Sequence, residues 1–435
     1  MKAQKRSKSS SNPFSLFLIF SLRLWHNMKR QRRVKRKSKK VKIHLQDISP
    51  IAISNCIFPI DIMLCILTRL PVKSIIRFKS VCKPWSALLS SPDFKKLHQV
   101  HFSNDPRNHT YLFHHYNDTL SLFQIGSNQK KPTFLNHPFS HNKINIHVVG
   151  CLNGFVCLSQ KPYNNVIHLW NPALNVSKQI LPPQECEECG LDEWVSLGFG
   201  YDKESDDFKV VRIVGVETRR HLAGMSVIIV QVYSVKSNSW ISIDEWDMPF
   251  SVLRTTNDLD VNGTPYWVGS VYFMPVLVYL DFENLVLKFV PLMQLISGEE
   301  MLRQIYFDYN GCVGALLFHI DNERVISSLI EVWLYDDDDK FWRKNRTLAP
   351  IDVNLYHIFS WTKNMKVIGK SPDGKLFICD PETGHVEESI DFGRKRDCIC
   401  LYEYTENITH IHGMKQVKVK KRTKKKMTID AAGRN

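Results

Sequence analysis

No stretch of this chain is apolar for the roughly 20 residues that a membrane-crossing helix needs. The nearest approach, Phe14 to Leu24, is short and is interrupted by Arg23. No small-residue cleavage site follows it; Met28-Lys29-Arg30 and a basic run do. A membrane is therefore not an expected partner. Cysteines number 11, an odd count without the regular spacing of a disulfide framework, which argues against a stapled secreted domain. Cys65, Cys82, Cys157 and Cys312 sit in apolar runs and are expected to act as small buried hydrophobes. That usage suits a reducing compartment, so the expected location is the nucleus, the cytoplasm or both.

The residue patterns of catalysis are missing too. Cys186 and Cys189 have zinc-type spacing, but a structural zinc needs four ligands. Cys398 and Cys400, the next close pair, are distant in sequence and stand only two positions apart. The run Asp336 to Asp339 lacks the alternating ligands and closing glutamate of a calcium loop. His114-His115 accompanies no serine-centred elbow. Gly198-Phe199-Gly200 lacks the helix start that a phosphate-cradling loop requires. No enzyme, cofactor or metal is expected.

Acidic residues are absent from two basic runs, one near each end. Met1 to His44 holds fifteen Lys/Arg and no Asp/Glu, and Lys415 to Lys426 holds eight with none. The net charge of +15 therefore hides a body of −8, with 35 basic against 43 acidic residues. Blocks of like charge repel themselves, so residues 1–50 and 411–435 are expected to be basic disordered arms. The arms admit nuclear import, contact with nucleic acid, or no role at all. The aromatics that stack on bases are absent from both basic runs, so nucleic acid is not the favoured partner.

What remains has a clear order. Pro59, Ile62, Met63, Ile66, Leu67 and Leu70 follow the 3-4 spacing of one continuous helical stripe. Pro59 suits the first helical position, Asp61 complements the positive helix end, and Pro71 stops the helix. Ile75, Ile76, Phe78 and Cys82 continue the pattern, Pro84 opens a third helix with Trp85, Leu88 and Leu89, and Ser91-Pro92 is a further start. Residues 54–102 thus form a small helical unit. It has more aliphatic surface than so few short helices can hide, which points to a core completed against another protein, with packing on the rest of the chain as the alternative.

Phe58-Pro59-Ile60-Asp61, the run Arg69-Leu70-Pro71-Val72-Lys73-Ser74, and Val81-Cys82-Lys83-Pro84-Trp85 resemble the F-box of plant F-box proteins. Phe58 stands where that family usually has leucine, and Cys65 where an acidic residue is common. The resemblance implies a three-helix fold that binds the Skp-type adaptor of a cullin-based ubiquitin ligase. Phe58, Pro59, Ile62, Ile66, Leu70, Pro71, Val81 and Trp85 would form or support that contact.

From Tyr111 onward the period changes from 3.6 to 2. Strand-like runs end repeatedly in turns rich in Asn, Asp, Gly and Pro. Phe123, Trp170, Tyr233, Leu280, Leu334 and Cys379 mark six such endings, 45 to 63 residues apart. Propeller blades repeat at roughly 40–50 residues. The class expected is thus α+β, a helical F-box followed by an all-β, propeller-like domain over 105–410, with a pair of packed sheets as the other closure. Gly150-Cys151-Leu152-Asn153-Gly154-Phe155, Trp170-Asn171-Pro172, Gly198-Phe199-Gly200-Tyr201-Asp202 and Val261-Asn262-Gly263 resemble the F-box-associated, kelch-like domain that follows many plant F-boxes. Together the two resemblances imply the substrate-recognition subunit of a Skp–cullin–F-box ligase, non-catalytic, holding a protein target that these motifs do not identify. The alternative is a nuclear nucleic-acid-associated protein acting through its basic arms.

Overall fold

The structure is a computed structural model. It describes residues 60–417 except 104, 106–109, 116–117, 125–131, 140–144, 161–165, 184–192, 218–225, 247–249, 254–258, 272–273, 294–301, 322–323, 326–329, 352, 354, 356, 363–365 and 392–397. The basic arm 1–50, the Cys186–Cys189 pair and residues 418–435 lie outside the described residues. Among those described, no helix is long and apolar enough to cross a membrane.

Four helices come first: α1 (Ile60–Leu67), α2 (Val72–Lys79), α3 (Lys83–Ser90) and α4 (Pro92–Ser103). The expected stop at Pro71 arrives early. Arg69 and Leu70 donate to the carbonyls of Ile66 and Leu67 at 3.1 and 3.2 Å, and these i to i−3 bonds tighten the last turn. The Ser91 hydroxyl caps α4 by accepting from the Phe94 N–H at 3.3 Å, with Pro92 at the first helical position. Phe94, His98 and Phe102 then line one buried face, with the His98 ring stacked on Phe102 at 5.1 Å. His98 Nε2 lies 2.8 Å from the Leu70 carbonyl oxygen, which can only accept, so the ring nitrogen donates and ties α4 to the turn before α2.

The strands that follow build antiparallel sheets with the order of propeller blades. The first blade contains β1 (Thr110–His115), β2 (Leu120–Gln124) and β3 (Thr133–Leu135); the second, β4 (Ile146–Leu152), β5 (Phe155–Gln160), β6 (Ile167–Asn171) and β7 (Val176–Ile180). The third is β8 (Glu193–Asp202), β9 (Asp207–Glu217), β10 (Ser226–Ser234) and β11 (Ser239–Trp246). In the fourth, β12 (Phe250–Val252) and β13 (Leu259–Val261) share one edge of β14 (Thr264–Val271), which is followed by β15 (Met274–Asp281) and β16 (Val286–Pro291). The fifth is β17 (Leu302–Tyr309), β18 (Cys312–Asp321) with its short partner β19 (Arg324–Val325), β20 (Glu331–Asp336) and β21 (Phe341–Thr347). The sixth is β22 (His357–Trp361), β23 (Val367–Lys370), β24 (Leu376–Cys379) and β25 (Val386–Ile390).

The chain then returns to its beginning. β26 (Cys398–Tyr404) pairs with β1 and becomes the innermost strand of the first blade, and β27 (Lys415–Gln416) pairs with β7 at the rim of the second. Innermost strands neighbour one another in cyclic order, β26 beside β4, β4 beside β8, β8 beside β14, β13 beside β17, β17 beside β22 and β22 beside β26. Among the described strands the six blades thus close into a ring through β26. The boundary expected at residue 410 falls inside the packed region, because Met414 and Val417 are buried and Val417 donates to the Asn175 carbonyl at 2.9 Å.

All six marks read from the sequence fall on the third strand of a blade: Phe123 on β2, Trp170 on β6, Tyr233 on β10, Leu280 on β15, Leu334 on β20 and Cys379 on β24. The widest gap, into the third blade, reflects β8, β9 and β10, which run 9 to 11 residues where β6 and β7 run five. The turn after four of these third strands, β6, β15, β20 and β24, is one geometry repeated. Asp281, Asp336 and Asp380 each accept two backbone N–H bonds from the next residues, and the fifth residue of each turn has positive φ: Leu285 (54°), Lys340 (57°) and Gly384 (71°). Asn171 and Asn175 (φ 54°) occupy the same two places in the second blade. Leucine is the least suited of these to the left-handed region, where a side chain costs roughly 1–2 kcal/mol unless it is Gly, Asn or Asp. Leu285→Asn is therefore expected to raise stability by about 0.5–1 kcal/mol, read as a higher urea midpoint at unchanged slope. An unchanged or lower midpoint would show that Leu285 contributes more by packing than it costs in backbone strain.

Of the cysteines expected to be buried, Cys157 is, and burial pushes its thiol far up. Cys65 is half-buried, whereas Cys82 and Cys312 are exposed. Both exposed cysteines border turns, Cys82 at the N-cap of α3 and Cys312 directly after Asn310-Gly311; the run after Cys312 enters the core only from Val313 onward.

Candidate functional site

The helical unit buries one side of each helix and presents the other. On α1, Met63, Leu64 and Leu67 point inward, while Ile62 is 48% exposed and Ile66, one turn on, is half-buried. The stripe read from the sequence therefore divides, with Met63 and Leu67 in the core and Ile62 and Ile66 on the outward face. On α2, Val72 and Ile75 are fully buried and Ile76 is 41% exposed. Pro71 and Val81 are exposed, Val81 at 62%, and Leu70 is half-buried. Trp85, also half-buried, meets Phe78 edge-on at 5.5 Å and 79°, which fixes α3 against α2. Phe58 and Pro59 lie outside the described residues.

Two outward residues were not singled out by sequence reasoning: Ile76, hidden within an apolar pattern, and Val100 on α4, which is 50% exposed. A helical wheel sets Val100 opposite the buried row of Phe94, His98 and Phe102, whereas Ile76 stands one turn from buried Val72 and is told apart only by packing. The charge of this unit was also masked by whole-body accounting. Residues 60–103 carry seven Lys/Arg against Asp61 and Asp93, and Arg69, Lys73, Arg77, Lys83 and Lys96 among them are exposed. An apolar face within a basic rim suits a partner with an apolar groove and an acidic border.

The helices are joined to the ring by a partly buried carboxylate. The Val72 N–H, first of α2, donates to Glu406 Oε2 at 3.0 Å. Burial pushes the Glu406 carboxyl up, against the opposing pull of that N–H and of the nearby Lys73 ammonium.

In the propeller, the resembling motifs are structural. Asn153-Gly154 (φ 48°, 80°) and Asn262-Gly263 (φ 55°, 91°) are the expected hairpin turns, and Asn310-Gly311 (φ 53°, 93°) is a third. At Gly198 an added Cβ would stand 2.3 Å from the Trp267 ring, so this glycine seats the fourth blade against the third. Among the described residues, a cavity of about 670 Å³ lies between the fourth and fifth blades, walled by Tyr266, Tyr279 and Tyr335 and edged by Asp336, Asp337, Asp338 and Lys344. Two of its acids are already engaged: Asp337 with Lys340 at 2.7 Å and Asp336 with Arg343 at 3.2 Å. Among the described residues, no group of three or more His, Cys, Asp or Glu side chains could hold a metal ion.

Comparison with known proteins agrees with this architecture. Residues 56–97 match the F-box domain and residues 119–428 the F-box associated beta propeller domain. An F-box/kelch-repeat protein of Arabidopsis thaliana is 26% identical over 226 residues, 49% of this chain and 58% of that relative. A putative F-box protein of the same plant is 22% identical over 398 residues, 82% of this chain and 98% of the relative. F-box protein CPR1, also from Arabidopsis thaliana, is 31% identical over 196 residues, 43% of this chain and 45% of its own length. With the helical unit, the closed ring and both domain matches in their expected order, the chain belongs to the plant F-box proteins that carry a C-terminal F-box associated beta propeller domain.

Proposed function

We propose that this protein is the substrate receptor of a Skp–cullin–F-box ubiquitin ligase: its helices bind a Skp-type adaptor, and its propeller holds a protein target. The observation that carries the reading is the outward apolar face of the helical unit, where Ile62, Ile76 and Val81 are 41 to 62% exposed although the unit already packs its own core. Ile66, Leu70, Pro71 and Trp85 border or support that face, and Phe58 and Pro59 precede it in sequence.

The receptor performs no bond chemistry in this reading. It raises the effective concentration of a target's lysines near a ubiquitin-loaded enzyme, so the gain comes from proximity and direction. Reduced cysteines and basic arms suit work in the nucleus or the cytoplasm.

Co-purification tests the reading. The full chain, co-expressed with a plant Skp-type adaptor, is expected to capture it, whereas a chain lacking residues 57–103 is not. Capture by the truncated chain would place the contact elsewhere and remove the basis for the proposal.

A further inference from the structure

The segment after the closing strand does more than end the domain. Tyr404, the last residue of β26, is 2% exposed. Asn407, three positions on, is buried and doubly held: its side-chain amide donates to the Asn153 carbonyl at 2.6 Å, and its own carbonyl accepts from Asn171 Nδ2 at 2.9 Å. The same Asn171 amide reaches the Thr409 carbonyl at 3.1 Å. Gly154 leaves room for this strap, since a Cβ there would lie 2.5 Å from both Asn407 Cβ and the Thr405 carbonyl oxygen. Glu406 thus sits between two fixed points, one on the innermost strand of the first blade and one on the second blade. Its carboxylate accepts the first N–H of α2 from a position 334 residues away in sequence.

That N–H belongs to the group a helix cannot satisfy itself, and a carboxylate there also meets the positive end of the helix dipole. α2 follows Pro71 and bears Ile76, both on the exposed side of the helical unit. We infer that Glu406 is a positioning residue: through the Val72 N–H it fixes the direction of the adaptor-docking helices relative to the propeller. This rests on the receptor reading above, because direction matters only if a partner docks on those helices. Affinity for the adaptor does not depend on Glu406; the angle at which the propeller is presented does.

The test uses the full chain with spin labels introduced as non-canonical amino acids at the exposed positions Lys96 and Asp337, leaving native cysteines untouched. Pulsed dipolar spectroscopy then reads the distance distribution. In the wild type it is narrow. In Glu406→Ala it is expected to broaden about twofold or more as the unsatisfied helix end releases. In Glu406→Gln, which keeps an acceptor oxygen, it stays narrow. Val72→Pro removes the donor from the other side, at a helix position that accepts proline and after a residue already extended (Pro71 ψ 149°), and it is expected to broaden as well without touching the strap. Adaptor capture, measured on the unlabelled chains, is expected to persist in all three. A distribution as narrow in Glu406→Ala and Val72→Pro as in the wild type would overturn the inference. Failure of the wild-type chain to bind the adaptor would overturn the receptor reading instead, while the distances still report whether Glu406 holds the helices.

Discussion

Ile62→Asp is expected to lower affinity for a Skp-type adaptor by at least about 100-fold, while the chain unfolds at an unchanged midpoint. The two halves of that expectation come from one number. Ile62 is 48% exposed in the free chain, so an aspartate there stays hydrated, and in the first turn of α1 it meets the favourable end of the helix dipole. In the complex the same position would be covered. A carboxylate taken into an apolar interface without a partner costs several kcal/mol, and about 2.7 kcal/mol already corresponds to 100-fold. Ile62→Ala removes only the apolar contact and is expected to cost roughly 1–2 kcal/mol of binding. Val81→Asp, at the most exposed of these positions, provides a second reading of the same face. Met63 would be an uninformative choice: it is 6% exposed, and a charge there would attack the fold of the unit itself. Titration calorimetry gives the affinity and thermal unfolding the stability. Unimpaired binding by both Ile62→Asp and Val81→Asp would mean that the outward face is not the docking face.

Trp267→Ala is expected to destabilise the propeller by about 3–5 kcal/mol. Trp267 is fully buried at the seam of the third and fourth blades, among Val211, Ile213, Val230, Val278 and Leu280, and its indole N–H donates to the Leu197 carbonyl at 3.2 Å. Its removal leaves a cavity in a place two sheets share, and an unsatisfied Leu197 carbonyl beside it. The seat is Gly198. Gly198→Ala would drive a methyl into the Trp267 ring, 2.3 Å from Cζ2, at an expected cost of about 1–3 kcal/mol. Trp267→Leu should make that methyl tolerable, so the double variant is expected to lose less than the sum of the singles. Urea unfolding of the four chains measures the coupling. Strict additivity would show that Gly198 does not serve to admit the indole.

How much of this was legible beforehand depends on how local the cause is. The six blades were, because the third strand of four of them ends in a turn whose residue types follow from local geometry: an aspartate or asparagine that accepts backbone N–H groups, then a residue at positive φ four places on. Leu285 and Lys340 occupy that last place against their preference, which is why the turn repeats more clearly in space than in letters. The hairpin role of Asn153-Gly154 was equally local. The outward face was only half legible. A 3-4 stripe says that Ile62, Met63, Ile66 and Leu67 share a broad side of α1; which edge of that side faces the core depends on α2 and α4. The burial of Met63 beside the exposure of Ile62 had to come from packing.

The Glu406 link was beyond reach for the same reason. Nothing in Thr405-Glu406-Asn407 distinguishes it from a polar loop until β26 has closed the ring and carried it to Val72. The domain end was misplaced for a related cause. The lysines of 415–426 read as a free arm, but Lys415 and Gln416 pair with β7, and Val417 tucks under Asn175. Charge density identified a basic segment correctly and its point of departure incorrectly.

The most direct measurement is the mass of the assembly formed when the full chain is mixed with a plant Skp-type adaptor and its cullin partner, followed by sedimentation velocity. A single species containing one copy of each is predicted. The chain sedimenting alone at its monomer mass, beside an intact adaptor–cullin pair, would contradict the claim that its helices present a docking face.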